Sequence, residues 1–150
     1  MANTFTQLRY HCIWSTKNRE PMIRPDIEER IWAIIAETGS RHGINVVKVG
    51  GIENHVHALI DIPKTLSVSE SMKGLKGGSS NGINKAGIIN GHFSWQDGYG
   101  AFTVSASSVA DVLGYITNQR EHHRTMTFEE EYVKFLEKHR VEYDAKYLWD

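Results

Sequence analysis

The eight residues Glu53-Asn54-His55-Val56-His57-Ala58-Leu59-Ile60 carry the most structural information in the chain. Side chains on a β-strand point alternately to opposite faces, so His55 and His57 share one face while Val56, Ala58 and Ile60 share the other. The apolar side would anchor the strand to a core and hold both imidazoles on the opposite surface. Their Cα atoms would stand about 7 Å apart, close enough for both rings to reach one metal ion. A His-x-His pair alone is often incidental, so its meaning depends on what the rest of the chain brings to it.

Working outward, residues 44–53 and 55–62 read as two strands turning near Glu53-Asn54, and residues 6–15 as a further strand rich in strand formers. Between them Pro25-Asp26 opens a helix. Asp26 is a candidate N-cap with Glu29 placed as in a capping box, Ile27, Ile31, Ile34 and Ile35 form its apolar stripe, and Gly43 stops it. Residues 66–85 begin as a helix that Gly77-Gly78-Ser79-Ser80 is expected to interrupt. Residues 93–105 suit a strand pair or a bent strand, followed by helices over 108–123 and 128–140. The order βαββαβ with short connections predicts an α+β fold of ferredoxin or RRM type. An antiparallel sheet carries helices on one face, with further helices appended at the C-terminus.

Composition sets the outer limits. The 150 residues, 40% hydrophobic and 23% charged, suit a single domain spanning 1–150. No run approaches the roughly 18 apolar residues that cross a bilayer, and the first residues lack a signal-peptide pattern. The one cysteine, Cys12, cannot close an internal disulfide, and a cytoplasmic location is expected. Net charge is −1, but residues 1–125 hold 13 Lys+Arg against 11 Asp+Glu, whereas residues 126–150 hold 4 against 7. Lys64, Lys73, Lys76 and Lys85 form a modest basic patch, readable as a solvated surface or as phosphate contacts.

The second informative stretch is Gly114-Tyr115-Ile116-Thr117-Asn118-Gln119-Arg120-Glu121-His122-His123. On a helix Tyr115 and Gln119 lie one turn apart on one face. Two readings fit: a core tyrosine with a locally bonded hydroxyl, or a nucleophile with a metal ligand one turn away.

His55-Val56-His57 resembles the HUH motif, U being hydrophobic, of the single-tyrosine transposases of the smallest bacterial insertion sequences, including REP-associated tyrosine transposases. Tyr115-x-x-x-Gln119-x-x-His122-His123 is similar to their catalytic helix. The stretches 14–21 and 95–102 also look like family sequence, and the likeness runs in order from about residue 6 to 148.

The resemblance implies that His55, His57 and Gln119 ligate a divalent metal, Mg²⁺ or Mn²⁺. It implies that Tyr115 attacks a phosphodiester of single-stranded DNA at hairpin ends. The product would be a 5′-phosphotyrosine and a free 3′-hydroxyl, and a later 3′-hydroxyl would reverse the step. It also implies a homodimer, in which the tyrosine helix of one chain can serve the histidines of the other through an exchange at Ala106-Ser107-Ser108.

Lys17, Arg19, Lys73, Lys76, Lys85 and Arg120, with Arg124, are candidate phosphate contacts. Phe93, Trp95 and Tyr99 fit either base stacking or a core. Cys12, His11, His42, His92 and His139 are expected to be packing or surface residues rather than chemical groups. The tail with Tyr143, Tyr147 and Trp149 is expected to pack against the body or a partner. A histidine-triad hydrolase is excluded because Leu59 stands where a third histidine is needed. A replication initiator or relaxase with HUH chemistry and a non-cutting hairpin-binding relative remain as alternatives.

Overall fold

A computed structural model describes residues 2–149. The strands β1 (Arg9–Ser15), β2 (Asn45–Ile52), β3 (His55–Asp61) and β4 (Gly100–Thr103) form one sheet in the order β2-β3-β1-β4, with every pairing antiparallel. Helix α1 (Glu28–Arg41) joins β1 to β2, and α2 (Val68–Ala86) joins β3 to β4. This is the ferredoxin-like order expected from the alternation of elements. The tight turn at Glu53-Asn54 falls where the sequence placed it.

One sheet face carries Cys12, Trp14, Val56, Ala58 and Ile60, buried against Ile31 and Ile35 of α1 and Met72, Leu75 and Ile83 of α2. The other face, which the βαββαβ unit leaves open, is covered by the appended helices α3 (Val109–Thr117), α4 (Gln119–His122) and α5 (Phe128–Lys138). There Ile13 and Phe102 meet Phe128, Tyr132 and Leu136, and Leu59 meets Ile116. The alternation along β3 therefore divides an apolar core on one side from two buried histidines on the other.

Several local expectations change. Helix α2 runs unbroken through Gly77-Gly78-Ser79-Ser80. Isolated glycines weaken a helix by about 1 kcal/mol each, but here Gly74, Gly78 and Gly82 line the face against α1. A Cβ at these positions would fall 2.8 Å from His42, 2.6 Å from Thr38 and 2.9 Å from Ile34. Close helix packing requires the glycines, so tertiary contact overrides propensity.

Helix α1 starts one residue later than expected, with Ile27 at the N-cap and no side-chain cap. The Asp26 carboxylate instead accepts from Arg24 Nε at 3.1 Å. The segment before β4 is not a strand pair. It touches β1 through a single bridge, Thr16 to Trp95, and through Gln96, whose N–H donates to the Ser15 carbonyl at 2.9 Å. Phe93 and Trp95 are buried in the core, ring edge to ring face at 4.6 Å, so they present no stacking platform to solvent. The expected helix 108–123 breaks at Asn118 into α3 and α4. No helix among the described residues is long and apolar enough to cross a membrane.

Candidate active site

The site forms where β3, α3, α4 and α5 meet on the sheet face away from α1 and α2. His55 and His57 are fully buried. Gln119, on the first turn of α4, is buried above them, and its amide N–H donates to the Tyr115 carbonyl at 3.3 Å. That bond turns the amide oxygen Oε1 inward, 3.0 Å from His55 Nε2 and 3.1 Å from His123 Nε2. Tyr115 approaches from α3, so one chain brings its own tyrosine to its own histidine pair.

Two residues complete the cluster that spacing alone did not single out. His123, four residues after Gln119 and just past the end of α4, presents Nε2 to the same point. Glu131 of α5 lies at the centre. Its Oε1 is 2.9 Å from His57 Nε2, 3.2 Å from His55 Nε2 and 3.2 Å from His123 Nε2, and its Oε2 accepts from the Tyr115 hydroxyl. Glu131 is placed by the capping box at the start of α5: Thr127 Oγ1 accepts from the Glu130 backbone N–H at 3.1 Å, which fixes the register one residue before Glu131. His123 had a signal, the i+4 step from Gln119. Glu131 had none, because its position depends on where α5 docks.

The proton inventory identifies the chemistry this cluster suits. Asn54 Oδ1 can only accept, so His55 Nδ1 donates to it at 2.9 Å, leaving the neutral ring with a bare Nε2. That lone pair faces two more acceptors, Gln119 Oε1 and Glu131 Oε1, with no proton to share among them. Protonating His55 would relieve the conflict, but burial outweighs the help from Glu131 and pulls its pKa down to about 4. A cation relieves it instead. Ligand atoms from His55, His57, His123 and Glu131 all lie within 4.8 Å of one another, and the group can hold a metal ion.

His11 is also placed differently from the surface or packing role expected. It is buried, and its Nε2 lies 2.8 Å from His57 Nδ1, so each ring fixes the tautomer of the other. Burial, then the neighbouring His57, pull its pKa down to about 2. Burial alone would raise the Glu131 pKa, but the hydrogen bond from His123 first, and then the neighbouring imidazoles of His55 and His57, hold it well below the usual carboxylate range. Burial and then Glu131 raise the Tyr115 pKa above its ordinary value, so the phenol is protonated at rest.

These shifts make the metal-free fold acid-sensitive. Unfolded histidine takes up its proton near pH 6.5, whereas His55 and His11 resist until about 4 and about 2. Stability therefore falls as pH drops below 6.5, by about 2 kcal/mol for each of these rings by pH 5. Glu131, depressed when folded, withdraws its contribution only below its unfolded pKa, near pH 4. His123, which is raised, acts in the opposite sense. Urea midpoints measured in chelator should be clearly lower at pH 5 than at pH 7.5. Equal midpoints would mean that the buried rings protonate as freely as unfolded ones.

The basic residues singled out from the sequence do not converge here. Lys73 and Lys85 are exposed on α2, across the sheet. Lys76 is buried, donates to the Asp97 and Gly98 carbonyls at 2.8 and 2.7 Å, and lies over Tyr99, so it ties down the 97–99 loop. Arg120 bridges Glu53 at 2.9 Å and Glu28 at 3.3 Å. Arg19 pairs with Glu129 at 3.2 Å and lies over the Trp149 ring. Lys17 is exposed, 3.9 Å from Asp97. Of the tail residues expected to pack, Trp149 lies on Phe128 and Tyr132, whereas Tyr143 and Tyr147 are exposed.

Residues 4–119 match the family model described as "Transposase IS200 like". The chain is 26% identical over 121 residues to the ISDra2 transposase TnpA of Deinococcus radiodurans, covering 77% of this chain and 86% of that one. It is 28% identical over 127 residues to the transposase for insertion sequence element IS200 of Salmonella typhimurium, covering 81% and 82%. Among solved structures, a candidate transposase from Deinococcus radiodurans R1 superposes with a TM-score of 0.62 at 25% identity, covering 79% of this chain and 95% of that one. A REP-associated tyrosine transposase bound to a REP hairpin superposes with a TM-score of 0.59, covering 82% and 73%; at 10% identity it shows likeness of fold alone. The match over residues 4–119 spans the histidine pair, Tyr115 and Gln119, and the chain belongs to the family of IS200-like transposases.

Proposed function

We propose that the chain works as one domain over residues 1–150, in the cytoplasm, cutting and rejoining single-stranded DNA at the hairpin ends of a small insertion sequence. The observation that carries this reading is the buried link from the Tyr115 hydroxyl through Glu131 to three imidazoles.

In this reading Tyr115 is the nucleophile. Its oxygen bonds to the scissile phosphorus and the P–O3′ bond breaks, leaving a 5′-phosphotyrosine and a 3′-oxygen that becomes a hydroxyl by taking up the proton the phenol gives up. A second 3′-hydroxyl reverses the exchange and joins new ends, and the bond energy is conserved in the protein–DNA link. The phenol has one proton and donates it to Glu131 Oε2, so Glu131 stands where that proton goes. His122 Nε2, 3.0 Å from the phenol oxygen, must then be the donor in that pair, which stabilises charge as it grows on the oxygen.

His55, His57 and Gln119 would hold a divalent metal, with His123 and Glu131 as further ligands. When bound, the ion supplies Lewis acidity to the phosphate oxygens. Imidazole ligands favour Mn²⁺ over Mg²⁺, which prefers oxygen; cellular abundance favours Mg²⁺. His11 orients His57, so His11→Ala is expected to weaken Mn²⁺ binding by about 10–100-fold, read by calorimetry. Unchanged affinity would remove His11 from the metal site.

Lys17, Arg19, Lys73, Lys85, Arg120 and Arg124 are proposed to steer the strand through phosphate charge. Lys76 acts through the loop that it anchors. A homodimer belongs to this reading, with each chain supplying its own tyrosine or exchanging it at 106–108.

The test is to mix the protein with labelled single-stranded DNA bearing the hairpins that flank its gene, with Mn²⁺ or Mg²⁺. A metal-dependent, denaturant-resistant protein–DNA band supports the reading. Tight binding with no band would favour the non-cutting hairpin binder.

A further inference from the structure

Beyond the ligand cluster, a line of hollows follows the seam between α3 and α5, and Tyr115 stands between two of them. One, of about 190 Å³, is walled by Tyr115, Met126, Lys134 and Phe135. Another, of about 250 Å³ on the far side of Tyr115, lies among Ser108, Asp111, Phe135 and Lys138. A third, of about 350 Å³, continues past Phe135 to Ser105 and His139. Phe135 and Lys138 line all three.

Lys134 and Lys138 are exposed and one turn apart on α5, so they share a face, and neither makes an ion pair among the described residues. Of the four acids of α5, Glu129 pairs with Arg19, Glu130 sits in the capping box and Glu131 in the buried cluster, and Glu137 lines none of the three hollows. Although residues 126–150 are acidic as a whole, the face that α5 turns to the seam is cationic, with Asp111 the acid opposite it. Phe135 is half-buried at the centre, 5.5 Å from the Tyr115 ring and nearly perpendicular to it.

Resting on the reading that the substrate is single-stranded DNA, we infer that the α3–α5 seam is the track on which the strand crosses the nucleophile. Lys134 and Lys138 grip phosphates flanking the scissile one, and Phe135 is the platform for an adjacent base. The strand then meets Tyr115 from the open side of the site, while the ligand cluster closes it from beneath.

The test compares the wild type, Lys134→Ala/Lys138→Ala and Lys134→Arg/Lys138→Arg. Each is titrated with the labelled hairpin oligonucleotide by fluorescence anisotropy at several salt concentrations. Both lysines are exposed, and the melting temperature of each variant checks its fold. The alanine pair should bind about tenfold or more weakly, with a log–log salt slope smaller by about 1.4, the value for two single-strand phosphate contacts. The arginine pair should restore both. Unchanged affinity and slope in the alanine pair, while the wild type binds and forms its covalent band, would overturn the track and leave the transposase reading standing. A wild type that neither binds nor forms the band would end both.

Discussion

Tyr115→Phe is expected to form no covalent protein–DNA product, a fall in strand-joining rate on the order of 10⁴-fold or more. One oxygen separates the two side chains, so the effect would be chemical rather than architectural. The ring contacts with His122 and Phe135 remain available to phenylalanine. Removing the hydroxyl breaks its hydrogen bonds with Glu131 and His122, which should cost about 1 kcal/mol of stability, since Glu131 keeps three imidazole partners. Hairpin binding, measured by anisotropy, should stay within a few-fold of wild type. A phenylalanine variant that still formed the band would shift the nucleophile to another residue and remove the main support for the mechanism. One that lost binding and folding together would return Tyr115 to the core-packing reading that the sequence left open.

Gly50→Ala carries the second large expectation, although Gly50 touches no substrate. It lies directly opposite His57 in the β2–β3 ladder. A Cβ there would run into the backbone carbonyl oxygen of Ile116, the residue after Tyr115. A backbone atom cannot rotate away as a side chain can, so α3 must lift from the sheet, taking Tyr115 with it and disturbing Gln119 beyond the Asn118 break. Displacing reacting groups by about 1 Å costs on the order of 100-fold in rate, whereas overpacking costs about 1–3 kcal/mol of stability. The variant should therefore melt as a folded protein and form adduct at least about 100-fold more slowly. A full adduct rate would show that the seating of α3 on β2 is not what positions the nucleophile.

The parts of the site that could be read from the sequence obey local periodicity. The step of two along β3 puts His55 and His57 on one face, and the step of four puts Gln119 one turn from Tyr115; both follow from strand and helix geometry alone. The parts that could not be read arise from contacts between distant elements. Glu131 reaches the histidines only because α5 docks across the sheet, 74 residues beyond His57. The same capping signature is realised at Thr127-Glu130 and fails at Asp26-Glu29, where a neighbouring arginine takes the aspartate. Gly77-Gly78 looks like a helix break until α1 lies against Gly78, and Phe93 and Trp95 look like strand residues until the core takes their rings. His11 looks like bulk until β1 pairs with β3 and sets it diagonally across from His57.

Cys12 has a use of a different kind. It is fully buried in the central strand β1, and burial pushes its thiol up to about 12, so at neutral pH it is both hidden and un-ionised. A cysteine introduced on the surface would be the sole fast-reacting thiol of the native protein. Maleimide dyes or spin labels could then be attached at one chosen point without first removing the native residue. Modification of Cys12 would in turn report opening of the core, giving a chemical measure of global unfolding.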